Sequence, residues 1–152
     1  HWARSTMFID QVISADSVPT LAAAAKFAAQ RHKILLSNVA NITTPGYQTR
    51  DVSVKAFQEQ LAEAVERRRD GGPSAPLELR STDEVRMAAG TASSMTLSPK
   101  ARGTNVLFHD RNDRDLERAM QNLAENAAAF RLATDLLKNR MSILETAIRE
   151  RF

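Results

Sequence analysis

The chain has 152 residues, a length typical of one domain or one elongated subunit. Hydrophobic residues make up 43% and charged residues 26%, as in ordinary soluble proteins, whereas aromatic residues make up only 5%. The net charge of +3 is not concentrated in one block, because the basic residues are interleaved with 18 acidic ones. Since the chain contains no cysteine, disulfides and thiolate metal sites are excluded.

An amphipathic helix is predicted over residues 18–42, after an N-terminal extension of residues 1–17. The apolar positions of this helix recur at alternating intervals of four and three residues, and only His32 interrupts them. A histidine in such a seam is more often a packing residue than a metal ligand, because no second ligand lies one turn away. The predicted seam consists of Leu21, Ala25, Ala28, Leu35 and Val39.

The middle of the chain is predicted to be short and loosely patterned. Pro45 keeps the residue before it out of the helical region, so residues 43–52 are predicted to form a turn. A short helix is predicted over residues 53–70. The following stretch, 71–112, begins as a Gly- and Pro-rich linker and continues as a variable segment. Within it, residues 77–80 alternate between apolar and polar side chains, which predicts a short strand.

The clearest pattern lies at the C-terminal end, where residues 113–152 are predicted to form a coiled-coil helix. No proline or glycine interrupts it, and among its ten seam positions only Thr134 is not apolar. A heptad repeat of this length favours coiled-coil packing, and the helix needs a partner to bury its stripe. The seam comprises Leu116, Met120, Leu123, Ala127, Phe130, Leu137, Met141, Leu144 and Ile148.

These elements predict a mainly α protein. Its long N- and C-terminal helices are expected to pack as an antiparallel coiled-coil-like hairpin, with a short irregular middle segment that contains β-strand pieces. No apolar run approaches the roughly 18 residues of a membrane span. The N-terminus lacks the ordered regions of a secretory signal, so export without a cleaved signal peptide is expected.

No enzymatic activity is predicted, and no catalytic, cofactor-binding or metal-ligating residues are assigned. The histidines His1, His32 and His109 lie far apart and lack metal-ligand spacing. The sequence contains neither a glycine-rich phosphate loop nor a recognisable Ser–His–carboxylate arrangement. The basic run Arg67–Arg69 lies between acidic neighbours and indicates a solvated helix end. Neither a cofactor nor a small-molecule substrate is therefore expected.

The junction after the first helix carries a specific motif. Residues 37–47 read Ser-Asn-Val-Ala-Asn-Ile-Thr-Thr-Pro-Gly-Tyr, and Arg50-Asp51 follows. This stretch resembles the N-terminal signature of bacterial flagellar rod and hook proteins. Gly103–Val106 resembles the turn that precedes the C-terminal helix in that family, and residues 115–120 resemble the start of the helix. The motif residues are Asn38, Ala40, Asn41, Thr44, Pro45, Gly46, Tyr47 and Asp51.

The resemblance implies a structural subunit of the flagellar basal body. The chain has no room for the large inserted domains of hook and distal-rod proteins, so it is most similar to a short proximal-rod protein. Such a subunit is expected to polymerise through its terminal helices and to connect the motor and export apparatus to the distal rod and hook. The expected partners are other rod subunits, further copies of the chain, and basal-body and export-gate components. The expected location is the periplasmic rod, reached by type III export.

Three alternatives remain from the sequence. One is another short rod protein of the same axial family. A second is a helical nucleic-acid-binding module, whose affinity would fall steeply with salt. The third is a cytoplasmic chaperone or adaptor built on a helical hairpin, which predicts a stable and fully helical monomer or dimer in isolation.

Overall fold

The computed structural model describes residues 17–72, 75–102 and 111–150. Within these ranges the predicted mainly α fold, with long terminal helices and short strand pieces between them, is confirmed. The N-terminal extension up to residue 16 and the family-like turn Gly103–Val106 lie outside the described residues. The elements, in order, are α1 (Ser17–Ala40), β1 (Arg50–Asp51), α2 (Val54–Asp70), β2 (Val85–Met87), β3 (Met95–Leu97), β4 (Lys100–Ala101) and α3 (Arg111–Arg149).

Helix α1 is the central element, because it packs on two opposite sides. Ala23 and Phe27 point into the hydrophobic core, whereas Leu21, Ala25 and Ala28 are buried on the side of α3. Successive helical residues are about 100° apart, so side chains two positions apart point in nearly opposite directions. The many alanines of α1 keep both of its faces narrow enough for close packing.

Helices α1 and α3 form an antiparallel hairpin. The side chain of Asn126 lies beside the carbonyl of Ala28, while Leu35 lines a common cleft with Ala119. Residue numbers therefore rise along one helix as they fall along the other. α3 has 39 residues against 24 in α1. Its last turns, from residue 141 onward, extend past the start of α1 and are exposed throughout.

The core lies on the other side of α1, between this helix, α2 and the strands. The rings of Phe27 and Phe57 stack with centroids 4.0 Å apart and planes 3° apart, which joins α1 to α2. Helix α2 is capped by Ser53, whose Oγ accepts a hydrogen bond from the Ala56 N–H at 3.1 Å. The buried cluster comprises Ala23, Phe27, Val52, Phe57, Leu61, Ala64, Leu79, Val85 and Met95.

The strands form two small antiparallel pairs. β1 pairs with β4, and β2 pairs with β3 through two 3-10 turns, Ala88–Gly90 and Ala92–Ser94. The first pair places β1 beside the C-terminal half of α1. The registers are Arg50 opposite Ala101 and Asp51 opposite Lys100 in the first pair, and Val85 opposite Leu97, Arg86 opposite Thr96 and Met87 opposite Met95 in the second.

The strand predicted at residues 77–80 is wrong. Leu79 is buried between the exposed Glu78 and Arg80, so the alternation reflects burial, but this segment joins no ladder. Its backbone is instead held by a bond from the Leu79 N–H to the Gly90 carbonyl at 3.1 Å. An alternating pattern reports which side chains are buried, and it does not report whether a neighbouring strand is present.

Candidate functional site

The family motif forms a tight turn at the end of α1. The Tyr47 N–H donates to the Thr44 carbonyl at 3.2 Å. Pro45 occupies the second position of this four-residue turn, and Gly46 occupies the third with φ of +75°. This combination defines a type II turn, in which the third residue needs the positive φ that glycine adopts without strain.

Asn41 ends the helix on the N-terminal side of this turn. Its Nδ2 donates to the Ser37 carbonyl at 2.8 Å, so a carbonyl of the last helical turn is satisfied by a side chain. The Ile42 N–H bonds three residues back to the Val39 carbonyl at 3.3 Å, which tightens the chain. α1 consequently ends at Ala40, two residues earlier than the periodicity predicts.

Asn38 joins α1 to β1. It is only 5% exposed, and its Nδ2 donates to the Arg50 carbonyl at 2.7 Å. Its Oδ1 accepts from the Arg50 N–H at 3.0 Å and from the Tyr47 hydroxyl at 2.9 Å. The carboxamide thus bonds to both backbone groups of Arg50, as a neighbouring strand would, and holds β1 against the helix.

An ion pair completes the junction. Nε and Nη2 of Arg31 donate to the two carboxylate oxygens of Asp51 at 2.8 and 2.7 Å, and the side chains are 12% and 19% exposed. Asp51 also accepts the Val52 N–H at 2.7 Å. A bidentate arginine–carboxylate pair fixes both distance and orientation. We call the group formed by Arg31, Asn38, Tyr47, Arg50 and Asp51 the α1–β1 clamp.

The clamp gathers some of the predicted motif residues and not others. Asn38, Tyr47 and Asp51 meet in it, whereas Asn41 acts at the helix end. The remaining motif residues, Ala40, Thr44, Pro45 and Gly46, are exposed.

Two contributors were missed by reasoning from the sequence. Arg31 lies twenty positions from its partner Asp51, and no local pattern connects them. Glu84 accepts the Ser53 N–H at 2.6 Å and an Arg102 N–H at 2.8 Å, which links the start of α2 to the end of β4. A lone acidic residue in a loop gives no sequence signal for such a role.

The predicted seam of α1 faces α3. Leu21, Ala25, Ala28 and Leu35 are buried, and Val39 is half-buried. These side chains lie along the side of the helix opposite the hydrophobic core.

The predicted seam of α3 lies mostly elsewhere. The α3 residues buried against α1 are Asn126 and Ala133, and Ala119 and Arg140 on the same side are half-buried. Four of the predicted seam positions, Met120, Ala127, Thr134 and Met141, each come one residue after these, which turns them by about 100° around the helix. Leu123, Thr134 and Leu137 are half-buried, and Ala127 is exposed. Eight large apolar side chains of α3 are between 39% and 62% exposed. Leu132 and Ile143 lie on the opposite side of the helix from the other six, which we call the apolar stripe of α3: Leu116, Met120, Phe130, Met141, Leu144 and Ile148.

The other chemical features of the described ranges are modest. No group of three or more His, Cys, Asp or Glu side chains in these ranges can hold a metal ion. The basic end of α2 makes local contacts: Arg67 lies 3.8 Å from Glu63, and Arg68 donates to the Ala75 carbonyl at 2.9 Å. Among the helices that the structure describes, none combines the length and apolar character that crossing a membrane requires.

Comparison with known proteins identifies the family. The chain is 34% identical over 123 residues to the flagellar basal body rod protein FlgB of Yersinia enterocolitica, which covers 77% of this chain and 85% of the relative. The chain belongs to the FlgB family of flagellar basal body rod proteins. FlgB of Escherichia coli K12 is 30% identical over 122 residues, and FlgB of Cereibacter sphaeroides is 32% identical over 126 residues. Each alignment covers 78% of this chain and, respectively, 85% and 83% of the relative. No protein-family model matches the chain.

The positive φ of Gly46 in this FlgB relative predicts that replacing this glycine lowers the stability of the chain. Nothing lies within 4 Å of a Cβ added there, so Gly46→Ala meets only the backbone cost of φ at +75°. We expect a loss of about 1 kcal/mol in the free energy of unfolding, measured by urea titration of the full chain. Gly46→Asn is the matched control, because asparagine tolerates a positive φ better, and it should lose less. Equal stability of Gly46→Ala and the parent would contradict the turn assignment.

Proposed function

We propose that this chain is a structural subunit of the proximal rod, which polymerises through its terminal helices and connects the motor and export apparatus to the distal rod and hook. Its partners are other rod subunits, further copies of the chain, and basal-body and export-gate components. Family membership supports a place in a basal-body rod. The surface of α3 supports the route of polymerisation.

The apolar stripe of α3 is the observation that carries this proposal. It follows a helix of 39 residues, about 58 Å long, and includes positions beside α1 as well as positions beyond it. Exposed apolar side chains aligned on one face are typical of a protein–protein interface. On α1, Leu36 is the one large apolar residue among those described that is comparably exposed, at 46%. The surface available to a neighbouring subunit is therefore chiefly that of α3.

The two sides of the hairpin present different surfaces, and this difference favours an open assembly over a closed ring. One side carries the apolar stripe, and the middle of the chain with α2 and the strands lies on the other side of α1. Contacts between unlike surfaces repeat without closing when the rotation between subunits does not complete a ring, and they then build a helical tube. A helix that lacks its neighbours is only partly stabilised, so assembly couples ordering to binding. This coupling fits export of a loosely ordered chain to the periplasm without signal-peptide cleavage.

Immunogold labelling of purified basal bodies tests the proposal. The parent gene is deleted in its own host and replaced by a copy under inducible control. After induction, antibody against the chain should label the rod segment next to the membrane-embedded ring, and motility should return. Uninduced cells are the control and should show neither label nor motility. Label confined to the distal rod, or basal bodies without label in motile cells, would contradict the assignment.

A further inference from the structure

The interface between α1 and α3 contains several small side chains. Ala25 and Ala28 are buried on α1 between Leu21 and Leu35; on α3, Ala133 is buried and Ala119, two heptads before it, is half-buried. Small residues let two helices approach closely, since the distance between helix axes depends on the side chains at the contact. A row of alanines has little shape of its own, so it does not by itself fix how far one helix is shifted along the other.

The small residues of α3 recur every seven positions, so alternative alignments of the two helices differ by one heptad. Ala119, Asn126 and Ala133 are seven residues apart and occupy the same side of the helix. A shift of one heptad would bring an alanine to the place of Asn126, opposite Ala28. Among the described residues the hydrophobic core contains no member of α3, so the core does not hold this helix in place.

Asn126 is the polar exception in the interface. It is 4% exposed, and its Nδ2 donates to the carbonyl oxygen of Ala28 at 2.8 Å across the two helices. A buried carboxamide needs a partner, and leaving it without one is unfavourable. The side chain reaches the backbone of α1 here because the residue opposite is only an alanine.

The residues before and after Ala28 in the same row would not let the Asn126 side chain reach the backbone of α1. Leu21 and Leu35 lie seven residues before and after it and are buried on the same side of α1. After a shift of one heptad in either direction, Asn126 would face a leucine side chain that stands between the carboxamide and the backbone. Both shifted arrangements would bury an unsatisfied amide.

We propose that Asn126 determines the axial register of α1 against α3. A single buried asparagine is known to select one alignment among helices that otherwise pack equally well. This register fixes the position of the apolar stripe of α3 along the helix axis relative to the α1–β1 clamp. Under the proposed function, that position determines which surface a neighbouring subunit contacts.

Distances between two spin labels test the register in the full chain. The chain has no cysteine, so labels attach only to the two that are introduced, Lys33→Cys and Ser142→Cys, both at exposed positions. With Ala28 opposite Asn126, Lys33 lies opposite residue 121, and the labels are about 32 Å apart along the hairpin. A slip of one heptad changes this separation by about 10 Å.

The parent background should give one narrow distance distribution, and Asn126→Ala should add a second population about 10 Å away from it. Asn122→Ala is the matched control: the residue is half-buried one turn away, and the distribution should stay single. If Asn126→Ala loses helicity by circular dichroism, Asn126→Ser replaces it, because the serine hydroxyl is too short to cross to α1. A single unchanged distance in the Asn126 variants, or a broad distribution already in the parent, would overturn the proposal. Neither result depends on whether the subunit assembles into a rod.

Discussion

Replacing Met141 and Leu144 together by aspartate is expected to abolish rod assembly while leaving the free subunit folded. Both side chains are exposed, at 54% and 42%, so the isolated chain should keep its helical content. In an assembled rod the two carboxylates would be buried against apolar neighbours without partners, which is strongly unfavourable. We expect incorporation into basal bodies to fall at least about a hundredfold, which corresponds to about 2.7 kcal/mol per contact.

The matched control for this experiment is Leu132→Asp. Leu132 is a large apolar residue of the same helix and is 61% exposed, but it lies outside the apolar stripe. Because the chemical change is the same, Leu132→Asp should preserve assembly if the stripe is the interface. Immunoblots of purified basal bodies and swimming assays measure both variants. Normal swimming by the double variant would show that the stripe does not carry the subunit contacts.

Breaking the ion pair of the α1–β1 clamp should destabilise the subunit more than breaking an exposed ion pair does. Asp51→Asn keeps the shape of the side chain but leaves the 12% exposed guanidinium of Arg31 without its counter-charge. The pair is partly buried, and hydrogen bonds to charged groups typically contribute about 1.5–3 kcal/mol. We expect a loss of about 2 kcal/mol in urea titrations, with a decrease in melting temperature of roughly 4–8 °C.

Asp83→Asn supplies the comparison for this variant. Asp83 lies 3.5 Å from Lys100, but these side chains are 90% and 53% exposed, so water screens the pair. Exposed pairs contribute at most about 1 kcal/mol, and Asp83→Asn should therefore unfold nearly like the parent. If the two variants lost the same stability, the clamp would be no more than a surface contact.

The sequence predicted the two terminal helices and the turn between α1 and β1 for definite physical reasons. Both helices have an apolar period close to that of the α-helix, and the pair Pro45-Gly46 matches the second and third positions of a type II turn. The clamp could not be predicted in the same way. Arg31 and Asp51 meet only because β1 is held beside α1 by Asn38, and that arrangement is a property of the folded chain.

The face that α3 presents to α1 was also beyond prediction from periodicity. Hydropathy ranks Leu116 and Phe130 above alanine and asparagine, so the larger residues define the seam that the pattern shows. Close packing instead selects small residues at the closest contact: Ala133 and Asn126 are buried against α1, whereas Leu123 and Leu137 are half-buried and Leu116 and Phe130 are exposed. The size of the side chains therefore determines which side of α3 packs against α1, and hydropathy does not measure size. The short strands β2 and β3 were missed because three residues are too few to establish a period.

Because the hydrophobic core contains residues of α1, α2 and the strands but none of α3 among those described, we expect the subunit to unfold with two levels of cooperativity. The stacked pair Phe27 and Phe57 belongs to the first level and would persist if α3 separated from α1. The chain can thus open at one joint without losing its native topology, as local unfolding units do in other proteins.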